Sequence, residues 1–125
     1  MKKVIYTSDA PKAIGPYSQA ILSNNTLYTS GQIAIEPKSG KLITDNITDE
    51  THQVMKNLKA VLSASEMDFS NVLKCTIFLK DMNQYAEINT VYSEYFDEKP
   101  PAREAVQVSV LPKNVNIEIS LIASR

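Results

Sequence analysis

The chain is poor in the residues that metal and redox chemistry most often uses: of 125 residues one is cysteine (Cys75), one is histidine (His52) and none is tryptophan. A single thiol cannot close a disulfide within the chain or form a C-x-x-C pair, and one histidine with one cysteine cannot complete a tetrahedral zinc site or a Cys-His dyad with an orienting third group. Charge of one sign is lacking as well. Lys and Arg number 13 against 14 Asp and Glu, a formal charge of −1 with no basic cluster, which argues against a nucleic-acid backbone as the main partner. Long hydrophobic runs are absent: after Met1-Lys2-Lys3 only Val4-Ile5-Tyr6 precede Thr7-Ser8-Asp9, too short for a signal peptide, and nothing approaches a membrane span. What is there, 43% apolar and 22% charged residues, reads as one domain over residues 1–125 in a reducing, cytoplasmic setting. A chain of this length buries about two-thirds of its unfolded surface. It is small for a deep enzymatic cleft, and any chemistry has to use carboxylate, hydroxyl, guanidinium or backbone groups.

Apolar spacing predicts strands, helix, strand, helix, strands, without repeats or low-complexity linkers. Residues 3–6 read as a strand, followed by a loop with Pro11 and Gly15-Pro16; residues 17–22 and 26–33 flank the Asn-rich turn Ser23-Asn24-Asn25 as a hairpin. Leu42-Ile43 is a brief extended piece after a turn at 36–41. From Thr48 the spacing becomes helical, with Thr51, Val54, Met55, Leu58, Val61 and Leu62 on one stripe. Residues 71–80 alternate, placing Leu73, Cys75, Ile77 and Leu79 on a dry face. Asp81 is a cap for a second helix whose stripe is Met82, Tyr85, Ile88, Tyr92, Tyr95 and Phe96, stopped by Lys99-Pro100-Pro101. Strands over 103–110 and 115–123 close the chain around a turn at 111–114. Right-handed crossovers then imply an α+β fold, a mixed sheet with both helices on one face. In the last two strands Val106, Val108 and Val110, with Val115, Ile117, Ile119 and Leu121, suit burial under the helices. Arg103, Ala105, Gln107 and Ser109, with Asn116, Glu118 and Ser120, form a sparsely charged opposite face suited to partial burial against other copies of the chain.

Arg103 and Glu118 fall on that same face, on neighbouring antiparallel strands if the 111–114 turn closes a hairpin. Arginine is shaped to hold a carboxylate by two parallel hydrogen bonds, and a partly desolvated glutamate is a usable acid, base or water-orienting group. Pattern alone favours the plainer reading, a cross-strand ion pair. Tyr17 and Ser30 flank the hairpin in Gly15-Pro16-Tyr17-Ser18 and Thr29-Ser30-Gly31-Gln32, where a glycine beside a hydroxyl admits close approach of a ligand or simply marks a bulge. His52 lies beside the helical stripe and reads as solvent-facing; Cys75, in phase with Ile77 and Leu79, reads as a buried structural thiol.

Ala13-Ile14-Gly15-Pro16-Tyr17-Ser18-Gln19-Ala20, Thr29-Ser30-Gly31-Gln32, Pro101-Ala102-Arg103 and residues 111–119 (LPKNVNIEI) resemble, in order and spacing, the motifs of the YjgF/RidA family of enamine/imine deaminases, over essentially the whole chain. The resemblance implies a chorismate-mutase-like α+β protomer assembled as a homotrimer around a central barrel, with a small cleft at each subunit boundary. It implies hydrolysis of the imine tautomers of 2-aminoacrylate and 2-aminocrotonate, released by pyridoxal-phosphate enzymes, to pyruvate or 2-oxobutyrate and ammonium, without a cofactor. In that family Arg103 matches the carboxylate-binding arginine, Glu118 the water-activating glutamate, Tyr17 and Ser30 the pocket hydroxyls, and Gly31 the small residue beside the substrate. Ala105 stands where the best-known members have cysteine, Glu104 where serine is usual, and Ser120 where a second acid is frequent. Position 105 serves substrate binding if it acts through its backbone. Two other readings accompany this one: a non-catalytic 2-oxo-acid sensor or interaction protein, and the ribonuclease or translation-inhibitor activity ascribed to some relatives, which the charge and the lone histidine do little to support.

Overall fold

Alternation and helical spacing resolve, in a computed structural model that describes residues 1–125, into β1 (Lys2–Ile5), β2 (Ala20–Ser23), β3 (Thr26–Thr29), α1 (Ile47–Ala64), β4 (Val72–Leu79), α2 (Tyr85–Ser93), β5 (Ala102–Gln107) and β6 (Ile117–Ser124). The hairpin β2–β3 turns on Asn24 and Asn25, both left-handed (φ 49° and 66°), the conformation that matches a tight hairpin to strand twist and that asparagine tolerates. Both strands are shorter than the alternation suggests, and Tyr17 falls in the loop before β2, where its N–H donates to the Gly15 carbonyl (2.8 Å).

Helix α1 starts where the Asn46 side chain accepts the Asp49 N–H (2.8 Å), a cap worth about 1 kcal/mol. Its stripe Val54, Met55, Leu58, Val61 and Leu62 is fully buried, each side chain contributing about 1.5–3 kcal/mol by leaving water. Asp81 caps a single 3-10 turn (Met82–Gln84) that leads into α2, and Tyr95 and Phe96 pack beyond the helix end. Both helices cover one face of a six-stranded mixed sheet in the order β1-β2-β3-β6-β4-β5.

Three expectations fail in that sheet. The 103–110 and 115–123 segments do not pair as a hairpin: β4 lies between them, parallel to β5 and antiparallel to β6. The right-handed crossover through α2 sets β5 down on one edge of β4, and the 108–116 connection carries the chain past β4 to its other edge. The phase of β5 is also opposite to the expected one. Arg103 pairs with the buried Cys75 and Ala105 with the buried Ile77, so they turn toward the helices, while Val106 pairs with Phe78 on the open face and is 46% exposed; Val110, beyond the strand, is exposed too. Finally, a bulge between Val72 and Lys74 gives the core position to Val72 and leaves Leu73 exposed, since one extra residue flips the alternation.

Candidate active site

Glu118 sits between Ile117 and Ile119, both fully buried in the core, so alternation turns it onto the open face. The segment after β3 crosses it there: Gln32 and Ile119 exchange backbone hydrogen bonds (2.8 and 3.1 Å). This bridge sets Gly31 directly against the Glu118 side chain. A Cβ at position 31 would lie 2.6 Å from the carboxyl carbon and 2.9 Å from Cγ, so only glycine leaves the carboxylate its place. Tyr17, Gly31, Glu118, Lys12 and Lys113 line one cleft of about 80 Å³. Burial pushes the Glu118 carboxyl above its ordinary value of 4.5, because a desolvated carboxylate without compensating donors holds its proton longer.

The buried Gln19 anchors the outer wall of this cleft. Its side chain accepts the Thr7 N–H (2.8 Å) and donates to the carbonyls of Thr7 (3.0 Å), Ala10 (3.4 Å) and Pro11 (2.9 Å), fixing the loop that Tyr17 closes. Ser30 is adjacent, but its hydroxyl is turned away, donating to the Ser18 carbonyl (2.6 Å).

Arg103 lies elsewhere. Its guanidinium donates to Asn89 Oδ1 (2.7 Å) and to the Tyr85 hydroxyl on α2, and it stands over the rings of Tyr85 (5.4 Å) and Tyr92 (5.0 Å). These contacts fix the fork and leave other N–H donors of its five available. They open on a groove of about 520 Å³ between α2 and Pro100-Pro101, with Tyr92 and Phe96 as its aromatic wall. Ala105 shares Arg103's side of β5 and packs against the core. Behind the guanidinium, the Tyr92 hydroxyl is buried beside the Cys75 thiol, with no nitrogen or oxygen to bond. Burial raises both its pKa and that of the neighbouring Cys75 thiol.

The residues singled out in the sequence therefore form two groups on opposite faces of the sheet: Tyr17, Gly31 and Glu118 on the open face, Arg103 and Ala105 on the helix face. The shared face expected for Arg103 and Glu118 is not observed. Sequence reasoning missed Tyr85 and Asn89, which lie one helical turn apart on α2 and hold Arg103, because Tyr85 reads as one more member of an apolar stripe. Lys12, Lys113 and Gln19 were missed as well. His52 lines neither cleft; its Nδ1 is 2.7 Å from the Tyr95 hydroxyl. No group of three or more His, Cys, Asp or Glu side chains stands where it could hold a metal ion, and no helix is long and apolar enough to cross a membrane.

Residues 7–125 match the family model described as Endoribonuclease L-PSP. The chain is 54% identical to a RutC family protein of Pyrococcus horikoshii over 123 residues, covering 98% of each chain. It is 46% identical to the human 2-iminobutanoate/2-iminopropanoate deaminase, covering 98% of this chain and 90% of that one. The crystal structure of the Escherichia coli YjgF gene product superimposes with a TM-score of 0.94 at 40% identity, covering 98% of each chain. The chain belongs to the YjgF/RidA family. The mixed sheet with two helices agrees with the α+β protomer that the resemblance implied.

Proposed function

We propose that the protein hydrolyses the imines of small 2-amino acids, in the first place the tautomers of 2-aminoacrylate and 2-aminocrotonate, to 2-oxo acids and ammonium, and so removes reactive intermediates shed by pyridoxal-phosphate enzymes. The observation that carries this reading is that the chain presents both a pre-oriented guanidinium and, in a separate cleft, a desolvated carboxylate beside a glycine. The mammalian relatives named as 2-iminobutanoate/2-iminopropanoate deaminases support it.

The free N–H groups of Arg103 hold the substrate carboxylate in a forked pair. An iminium carbon next to that carboxylate is already electrophilic, so what remains is to deliver one water. Glu118 accepts a proton from the water as its oxygen bonds to C2, and the C=N electron pair moves onto nitrogen. Glu118 returns that proton to the carbinolamine nitrogen; the C–N bond breaks as the oxygen lone pair closes the carbonyl, and the hydroxyl proton passes through Glu118 to the departing ammonia, which leaves as ammonium. Tyr17 closes the cleft and orients the water, and the backbone at Ala105 lies beside the bound carboxylate. No cofactor enters these steps.

Because the two groups face opposite sides of one sheet, a working site takes Arg103 from one protomer and Glu118 from another. A homotrimer with the open faces packed around a central barrel satisfies this. It also covers the row Val4, Ile21, Tyr28 and Ile122 that runs across four strands of the open face, an apolar patch of the kind that marks an interface. His52, engaged with Tyr95 outside both clefts, provides no acid/base pair for RNA cleavage. The decisive experiment is a coupled assay with threonine dehydratase. Purified protein accelerates 2-oxo-acid release and Arg103→Ala abolishes the acceleration; no acceleration by the wild-type protein overturns the reading.

A further inference from the structure

Glu50, in the first turn of α1, is fully buried, and no cation pairs with it. Both of its oxygens are engaged by one residue: Oε2 accepts the Asn116 backbone N–H (2.8 Å) and Oε1 the Asn116 side-chain amide (2.7 Å). The positive end of the helix dipole favours a carboxylate at this place. A buried charge is nevertheless poor value for stability compared with an apolar pair of the same shape, and such a bidentate contact fixes geometry more than it adds strength. Asn116 is held from a third side, its carbonyl accepting the Lys80 N–H (3.0 Å).

What Asn116 anchors is the frame of the Glu118 cleft. Immediately before it, Lys113 and Asn114 are both left-handed (φ 54° and 55°), a conformation two successive non-glycine residues keep only when their surroundings hold them. Asn114 is tied by its Oδ1 to Lys80 Nζ (2.9 Å), and Pro112 and Lys113 line the cleft. Two residues after Asn116 comes Glu118 itself. We infer that Glu50 is a positioning residue that acts through Asn116, holding the strained turn and the start of β6 so that the Glu118 carboxylate stays against Gly31 in its cleft.

The inference rests on the deaminase reading only for its kinetic test. Asn116→Asp opposes two carboxylates; Glu50→Gln added to it restores both bonds, with the Gln oxygen accepting the backbone N–H and its amide donating to the new carboxylate. Asn116→Asp is expected to lower kcat by about tenfold or more with KM within about threefold, and the Glu50→Gln/Asn116→Asp pair to recover most of that loss. A loss that the pair does not recover, or an unchanged kcat in Asn116→Asp, overturns it. Independently of activity, a carbon-13 titration of the Glu118 carboxyl, whose cleft also presents Lys12 and Lys113, shows its midpoint displaced from the wild-type value in Asn116→Asp and returned to it in the pair. An unmoved midpoint overturns the inference even if the enzyme is active, and a moved and restored one upholds it even if no imine is turned over. Should Asn116→Asp not fold, Asn116→Ala, which keeps the backbone donor, is read in the same two ways, with a loss of about threefold in kcat expected for one missing bond.

Discussion

Arg103 and Glu118 turn to opposite faces of the sheet, with β4 between their strands: Cys75 stands opposite Arg103 and Phe78 opposite Glu118. On the proposed reading a site that needs both is shared between copies, and mixing tests this. Arg103→Ala and Glu118→Gln proteins are each expected to be inactive. Unfolded and refolded together in equal amounts, they regain about a quarter of wild-type activity, the chance that a boundary draws its arginine from one variant and its glutamate from the other. Activity that stays at zero in the mixture, with assembly confirmed by sedimentation, excludes a shared site.

Gly31→Ala tests the close approach to Glu118. The added methyl group displaces the carboxylate first, since the three atoms nearest its position all belong to the Glu118 side chain. The expected result is a folded protein with thermal stability near that of the wild type and a kcat lower by about a hundredfold, the order of loss that a displacement of about 1 Å brings. Steady-state kinetics beside a melting curve separates this from simple unfolding.

The pH dependence of Glu118 has two consequences of opposite direction. Its folded-state pKa lies above the ordinary 4.5, so the folded protein binds the proton more tightly than the unfolded chain. Stability from this group is fully present below 4.5 and is lost as pH rises through the elevated value. Glu118→Gln is therefore expected to melt above the wild type at neutral pH, the difference closing at acid pH. Activity runs the other way: kcat falls as the pH drops through that same elevated value, because the water-accepting form is the ionised one.

Tyr85→Phe removes one of the two acceptors that fix the guanidinium of Arg103. The ring contact remains, so the protein folds, but the fork loses its orientation. KM is expected to rise by about tenfold with kcat changed less, corresponding to one hydrogen bond to a charged group. Asn89→Ala should behave alike, and kinetics on the two single variants and the double variant will show whether they act on the same arginine.

Much of this architecture is legible from residue order. The stripe of α1 and the two-asparagine turn of the hairpin are written in local spacing, and the dry face of β4 is legible except at Leu73, where a bulge that no periodicity announces shifts the register. The order of the last strands is not legible in the same way. Alternation says which residues share a face of one strand, but it does not say which strand comes between two others, and the turn at 111–114 suggested a hairpin where β6 instead pairs with β3 and β4. For the site, Glu118 was marked by alternation and Gly31 by the hydroxyl beside it, the resemblance gave them roles, and their proximity came only from the bridge between Gln32 and Ile119. Asn89 carried no signal in a single sequence, being a polar residue on a helix until Arg103 is seen to reach it.

The sealing of Cys75 behind Tyr92 has a practical side. The chain's one thiol is fully buried, and its raised pKa keeps it in the unreactive protonated form. Peroxide and alkylating reagents thus find no sulfhydryl on the folded surface, and the protein can be handled without reductant. The same seal makes the thiol a built-in witness: maleimide that modifies it counts the moments at which the helices have come away from β4.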